Sequence, residues 1–368
     1  MIQVLMYIMA GCAVLGGLDR IFHNRFGLGG RFEEGFQMLG PVAMSMAGII
    51  CIAPLLCSVL GAAIRPVYHA LHQDPGMFGS ILAIDMGGYQ MAEELADDPA
   101  VGTFAGILAA ATLGCTVSFT IPTGMGLYSE RDRKLFAQGI LYGLVSIPAA
   151  LVFGALLCGF SLKAALWICF PVLVLAGLLI FCIWKKPEQS IRGFSMFASA
   201  LRAVTTIGLM LGAFQYISGI VILPMLAPLE EAMTVISAIC ITLLGSLPMA
   251  QILEWMLKKP FSMLGRRIGI GHEAVMGMLL SFLNTTAGLA AIPGMNDRGK
   301  IVSSAFTVCA GSCLSAHFAF TMSVKPDMAL PMILTKLMGA LLGAAFALLM
   351  TGRENKKGMA RMPETCGK

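Results

Sequence analysis

The chain is predicted to be an all-α polytopic membrane protein with about nine transmembrane helices and two re-entrant, broken-helix hairpins. Three observations predict this. Hydrophobic residues make up 57% of the chain and charged residues only 12%, where a soluble domain carries about 25% charged residues. Apolar runs of about 20 residues recur along the whole length, as membrane-spanning helices require. Two further apolar stretches, 75–96 and 271–293, are interrupted by residues that no continuous lipid-facing helix accommodates well, Asp85-Met86-Gly87-Gly88 and Asn284-Thr285-Thr286-Ala287-Gly288.

In chain order, full crossings are expected at about 3–18, 37–64, 100–121, 136–157, 164–184, 196–223, 232–253, 301–322 and 329–350. The first lacks a basic start and an Ala-x-Ala cleavage site, so it reads as a retained helix. The distribution of basic residues decides whether the two interrupted stretches also cross. If both enter and leave on one side, twenty Lys and Arg fall on one face and three on the other; if both cross, the split is nearly even. The positive-inside rule favours the first layout, with the N-terminus outside and the C-terminus cytoplasmic.

That layout places two crossings before and after each hairpin, with 164–184 left over as a linker. The expected organisation is a first inverted repeat over 1–160 (hairpin 75–96), a linker helix and cytoplasmic loop over 161–194, a second repeat over 195–352 (hairpin 271–293), and a basic cytoplasmic tail over 353–368. Landmarks recur at an offset of 197 or 198 residues. Glu33-Glu34 has its counterpart at Glu230-Glu231, 197 residues on; Gly79 is matched by Gly277, and Gly114-Cys115 by Gly311-Ser312-Cys313. Inverted repeats with discontinuous helices are the build of secondary transporters, whose substrate site lies where the broken helices meet.

The residues that could carry chemistry follow from this. Asp85 is an ionisable group in a lipid-like segment, a placement that costs roughly 2.5–3.5 kcal/mol and points to a cavity or pathway; as a water-exposed tip residue it would mean less. Gly87 and Gly88 weaken the helix beside it. Tyr89 shares its face one turn on and offers a ring for cation–π contact, or sits at an interface. Glu93 and Glu94 could gather cations at an entrance or simply be solvated. Asn284 and Thr285 could accept hydrogen bonds from an amine or hydroxyl, or could cap a broken helix. His317, inside an expected crossing, could relay a proton, accept from substrate, or pack. Arg202 and Lys336 are expected to snorkel toward the basic face. Paired glycines such as Gly139/Gly143 and Gly339/Gly343 allow close helix approach and permit a homodimer.

Other classes find no support. The eleven cysteines are scattered through apolar runs without metal-ligand spacing, so no metal site and no resident cofactor are expected, though H⁺ or Na⁺ remains open as a coupling ion. His272-Glu273 lacks the second histidine of a zinc protease, and neither a phosphate-cradling loop nor a nucleophile elbow occurs, so no catalytic residues are assigned and no enzyme is expected. No basic-aromatic face suggests nucleic acid.

Across about residues 1–352 the chain resembles the ethanolamine utilisation transporter family, the EutH-like permeases. The likeness rests on Met6-Tyr7-Ile8-Met9, Asp19-Arg20, Phe32-Glu33-Glu34-Gly35-Phe36, Ala83-Ile84-Asp85-Met86-Gly87-Gly88-Tyr89 and His317-Phe318-Ala319-Phe320-Thr321. Ala316 stands where that family leads one to expect an acidic residue before the histidine. The resemblance implies passage of ethanolamine across a bacterial inner membrane. A small protonated amine with a hydroxyl suits one carboxylate, one aromatic face and a few acceptors. Another small organic cation, a membrane-embedded enzyme and a non-transporting receptor are the alternatives.

Overall fold

Long apolar helices account for most of the chain, as the composition requires. The computed structural model describes residues 2–81 and 88–359, and among these no strand occurs. Helix α1 (Ile2–Ile21) turns into α2 (Leu28–Gln37), which runs almost directly into α3 (Leu39–Ala70). The α1–α2 corner is set by Asp19. Its buried carboxylate accepts from the N–H groups of Phe26, Leu28 and Gly29 at 2.9–3.0 Å, satisfying donors that a helix start leaves open. Asp19-Arg20 is thus a turn device, and Arg20 adds a 3.5 Å ion pair to Glu33.

The stretch expected to form the first hairpin contains α4 (Gly76–Gly79) and α5 (Gly88–Leu95), which pack against each other. Gly79 is required by that contact: a Cβ there would stand 2.4 Å from the Ala92 backbone nitrogen. Asp74 closes the base, accepting from the N–H groups of Gly76 and Asp98 at 2.7 and 2.9 Å. Asp98 then caps α6 (Pro99–Phe104), which continues through π-helical stretches at Ala105–Gly114 and Thr116–Thr120 into α7 (Ile121–Leu127). Ser129 caps α8 (Glu130–Leu157).

A short α9 (Leu162–Ile168) and α10 (Phe170–Lys185) meet at 46° as one bent span. Next come α11 (Pro187–Ser218), ended by Gly219 at φ +68°, and α12 (Leu229–Ile268). Antiparallel packing returns in α13 (His272–Leu283) and α14 (Thr285–Ala291), where a Cβ on Gly288 would fall 2.5 Å from the Ser281 Cα. Asn296 caps α15 (Asp297–Ala310), followed by α16 (Ala316–Val324) and α17 (Ala329–Met359).

Among the described residues seven helices are long and apolar enough to cross a membrane, and the bent α9–α10 pair makes eight. The expected crossing at 301–322 is corrected. It is not one helix but two, α15 and α16, separated by irregular backbone at 311–315. Two tertiary hydrogen bonds hold this break open: Ser312 N–H donates to Ser281 O at 3.0 Å and Leu314 N–H to Phe282 O at 3.1 Å. The N–H groups of Ser312 and Leu314 therefore pair with the end of α13, while those of Gly311 and Cys313 stay bonded to α15. The last helix also outruns expectation, continuing past 352 to Met359.

The two parts of the chain pack reciprocally: α1 lies on α12, and α11 lies on α3. Both contacts are glycine-mediated. A Cβ on Gly48 of α3 would strike Thr205 O of α11, and one on Gly245 of α12 would strike Met9 O of α1. Pro54 and Pro66 inside α3 have the same spacing as Pro248 and Pro260 inside α12. The remaining core forms where α8, α15 and α17 meet, with Gly139 against Ser304 and Gly339 against Cys309. Outward faces of α1, α10 and α11 expose large apolar side chains, among them Tyr7, Leu178, Phe181 and Met210.

Candidate functional site

The polar residues of an otherwise apolar chain converge where two helix breaks meet. At the first break, Asn284 leaves the helical region (φ −148°, ψ 117°) and its Oδ1 accepts from Thr286 N–H at 2.9 Å and Ala287 N–H at 3.3 Å. It is the N-cap of α14, the role the spacing allowed as the plainer alternative. At the second break Ser312 has φ +51°, a conformation that costs a non-glycine residue of order 1–3 kcal/mol and gathers at functional sites. The two breaks are bonded together: Thr285 Oγ1 and Ser312 Oγ are 2.8 Å apart, and Thr285 N–H donates to the same Ser312 oxygen at 3.1 Å. Behind them the hydroxyls of Ser281 and Thr307 pair at 2.7 Å.

These breaks form one wall of a cavity of about 400 Å³, within the range of about 300–1,000 Å³ usual for ligand sites. Asn284, Thr285, Thr286, Ser312 and Ser315 line that wall; Ser45 of α3 and Ser118 of the π-helical stretch add hydroxyls from the opposite part of the chain. Glu34 and Arg202 are the charged side chains among its described lining residues. The Glu34 carboxylate accepts from Arg31 Nη1 at 2.7 Å, and Arg31 Nε donates in turn to Gln251 Oε1 at 2.9 Å. Glu34 also lines a smaller neighbouring cavity of about 130 Å³ together with Asn284, so the two spaces share a wall.

The other expected site residues fall as follows. Asp85 and Gly87 lie outside the described residues. Gly88 is buried at the start of α5. The Tyr89 ring meets Phe320 of α16 edge-on at 5.7 Å and is absent from the lining of the 400 Å³ cavity. Glu93 accepts from Thr103 Oγ1 at 2.6 Å, and the Glu94 carbonyl accepts from Arg65 Nη2 at 3.0 Å, so both have structural partners. His317 is 1% exposed and sits just behind the break, its Nδ1 3.1 Å from Gly311 O.

Lys336 is the largest correction. It does not snorkel. It is 1% exposed, donates to Ala111 O in the π-helical stretch at 2.5 Å, and lies 3.0 Å from His317 Nδ1. Packing of α17 against both α8 and α15 gives its side chain no path to the interface. Arg202, by contrast, is exposed and its guanidinium bonds Ser199. Ser315 and Ser118 were not singled out from the sequence, and Ser312 and Glu34 served there as repeat landmarks, Glu34 also as a family-motif residue, with neither placed in the site. A serine one step past a glycine in a supposed crossing was the available signal.

Spanning helices, breaks bonded to one another and a hydroxyl-lined cavity beside them define a multi-pass membrane protein with an internal polar cavity. The family model for "Ethanolamine utilisation protein, EutH" matches residues 1–350, and the chain belongs to that family. It is 36% identical to a protein of Listeria monocytogenes named probable ethanolamine permease EutH, over 98% of this chain and 96% of that one. A Bacillus subtilis protein named uncharacterized protein YxeR is 34% identical over 98% of each chain. The Escherichia coli probable ethanolamine permease EutH is 32% identical over 96% of each. No solved structure matches the chain.

Proposed function

We propose that the protein carries ethanolamine, a small protonated amino alcohol, across the bacterial inner membrane by alternating access, and that it is a carrier and not an enzyme. The observation that carries this reading is the cavity where the tip of the α13–α14 hairpin meets the α15–α16 break. Broken backbone is tolerated at membrane depth where it is buried in protein or lines a cavity. The hydroxyls of Thr285, Ser312, Ser315 and Ser118 offer acceptors to an ammonium group and donors to an alcohol. Glu34 supplies negative charge at the wall shared with the smaller cavity. The printed names of the relatives support the same substrate.

In this proposal the chain is two inverted halves joined by the α9–α10 span. Reciprocal packing of α1 on α12 and α11 on α3, and the matching proline spacings, support it. The N-terminus lies outside and the C-terminus in the cytoplasm, following the basic residues. Asp85, at the first hairpin's break in the sequence, is the proposed counter-charge for the ammonium, with Tyr89 near it in the chain.

Uptake of labelled ethanolamine into proteoliposomes tests the reading. A hydrogen bond to a charged group contributes about 1.5–3 kcal/mol, so Asp85→Asn should lower uptake by roughly 10- to 100-fold. Normal uptake by Asp85→Asn would remove that residue from the site. No saturable uptake by the intact protein would end the carrier reading.

A further inference from the structure

We infer that Glu34 is the carboxylate that takes the ammonium of the substrate on its way between the two cavities, and that Arg31 holds that carboxylate when no substrate is there. The inference rests on the transport reading and goes beyond it by assigning a second binding position and the exchange of partners that fills and empties it.

Glu34 stands between two spaces. Glu34, Leu247 and Asn284 line both the cavity of about 400 Å³ and the smaller one of about 130 Å³. The smaller space far exceeds the roughly 10–15 Å³ that a single water needs. On α12, Leu243 lines the larger space, Leu247 lines both, and Gln251 and Glu254 line the smaller. At 1.5 Å per residue these positions run about 16 Å along the helix, toward Lys258 and Lys259. The smaller cavity is thus the next space toward the basic end of α12. Gly35 holds α2 against that helix: a Cβ there would fall 2.8 Å from the Leu243 carbonyl carbon. The close approach fixes its neighbour Glu34 at the junction.

Charge differs between the two spaces. The described charged residues lining the larger are Glu34 and Arg202, which balance. Those lining the smaller are Arg31, Glu34 and Glu254, which leave negative charge in excess. A small cation is therefore drawn away from Arg202 and toward Glu34. Arg31 already neutralises that carboxylate, with Nη1 2.7 Å from Glu34 Oε2. Its Nε donates to Gln251 Oε1 at 2.9 Å, and Gln251 Nε2 donates to Glu254 Oε2 at 3.0 Å. The guanidinium can give up Glu34 and keep its second bond, on the side of Glu254. An arriving ammonium leaves the Glu34 carboxylate with a cation, so neither it nor the guanidinium is stranded. Arg31 and substrate compete for one acceptor, and Arg31 resumes it when the substrate departs. In the carrier reading the ammonium then meets two carboxylates in turn, Asp85 of the first hairpin and Glu34 of α2.

The test is exchange of labelled ethanolamine by the full chain in proteoliposomes, with half-saturating concentration and maximal rate measured separately. Glu34→Gln keeps the shape and removes the charge, and should raise the half-saturating concentration roughly tenfold or more. Arg31→Gln removes the competitor and should lower it several-fold, whatever happens to the maximal rate. The double variant should resemble Glu34→Gln alone, because a competitor matters only while the carboxylate is present. A purely structural role of the ion pair would move both single variants in the same direction. An unchanged or raised value in Arg31→Gln, or an unchanged value in Glu34→Gln, overturns the inference and leaves the carrier reading standing. Should one single variant fail to insert, the direction of the other decides. Wild type without saturable exchange would overturn both.

Discussion

The two hairpin segments are built alike and tied down differently. In each, a glycine lets one arm lie against the other: Gly79 against Ala92, and Gly288 against Ser281. The first is fastened at its base to its own part of the chain. Arg65 bonds the Glu94 carbonyl, and His69 pairs with Asp97 at 2.7 Å, with both side chains about half exposed. Among its described residues, an apolar edge contact reaches the other part, Tyr89 on Phe320. The second is latched to the other part by polar groups. Tyr128 at the end of α7 donates a buried hydrogen bond to Leu289 O at 2.8 Å. Just past the hairpin, on α15, Asp297 pairs with Arg131 at 2.8 Å at the exposed surface, and the buried Lys300 pairs with Asp132 at 2.5 Å. Apolar edges slide past one another at small cost, whereas a buried polar latch must break or hold. Between the described residues, then, rearrangement against the other part is expected to be easier at the first hairpin than at the second.

The largest expected effect breaks the latch. Side chains of Lys300 and Asp132 are only 9% and 14% exposed. Removing one partner strands a buried charge, which costs about 3–5 kcal/mol. Asp132→Ala should therefore lower unfolding stability in detergent by about 3 kcal/mol. Combining Lys300→Met with Asp132→Leu should recover most of that loss, because no charge is left stranded. If Asp132→Ala unfolds like the parent protein, the latch is not holding the second hairpin and the contrast drawn above fails.

Much of this fold was legible in the sequence, for physical reasons that can be named. Apolar length located the long helices, since a bilayer sets that length. Asn284 and the glycines located the second hairpin, because a capping side chain and a close approach both leave local marks. The break at 311–315 was not legible: it exists because Ser312 and Leu314 N–H groups find partners on α13, a tertiary fact. Lys336 was misread for a related reason. A lysine seven residues into a helix has a short way to the interface if its surroundings are open, and only the packing of α17 closes that way. Glu34 was visible as a motif residue, but its place on the cavity wall depends on how α2 lies across α12.

A smaller effect is expected at the tip of the second hairpin. Asn284 bonds two backbone N–H groups that its helix start would otherwise leave open. Asn284→Ala should cost about 1 kcal/mol, the usual value of a lost cap, while Asn284→Asp or Asn284→Ser should keep most of it. In the carrier reading Asn284→Ala should also weaken ethanolamine uptake, since the capped turn presents Thr285 to Ser312. Full stability with Asn284→Ala would mean that the break is held from the α15–α16 side alone.

The smallest effect belongs to the first hairpin's base. His69 and Asp97 make a short contact, but their side chains are 53% and 52% exposed. Water and salt screen such a pair, and exposed pairs contribute about 0–1 kcal/mol. The base does not depend on it, because Asp74 separately ties the backbone at Gly76, Asp97 and Asp98. Replacing His69 with Ala should change unfolding stability by no more than about 0.5 kcal/mol, with any loss shrinking further at high salt. Asp74→Ala is the sharper probe of the same base, since it removes an acceptor from three N–H groups at once and should cost more than His69→Ala at any salt concentration. A His69→Ala loss as large as that of Asp132→Ala would show the first hairpin to be latched as firmly as the second, and rearrangement between the two parts would then have no preferred side.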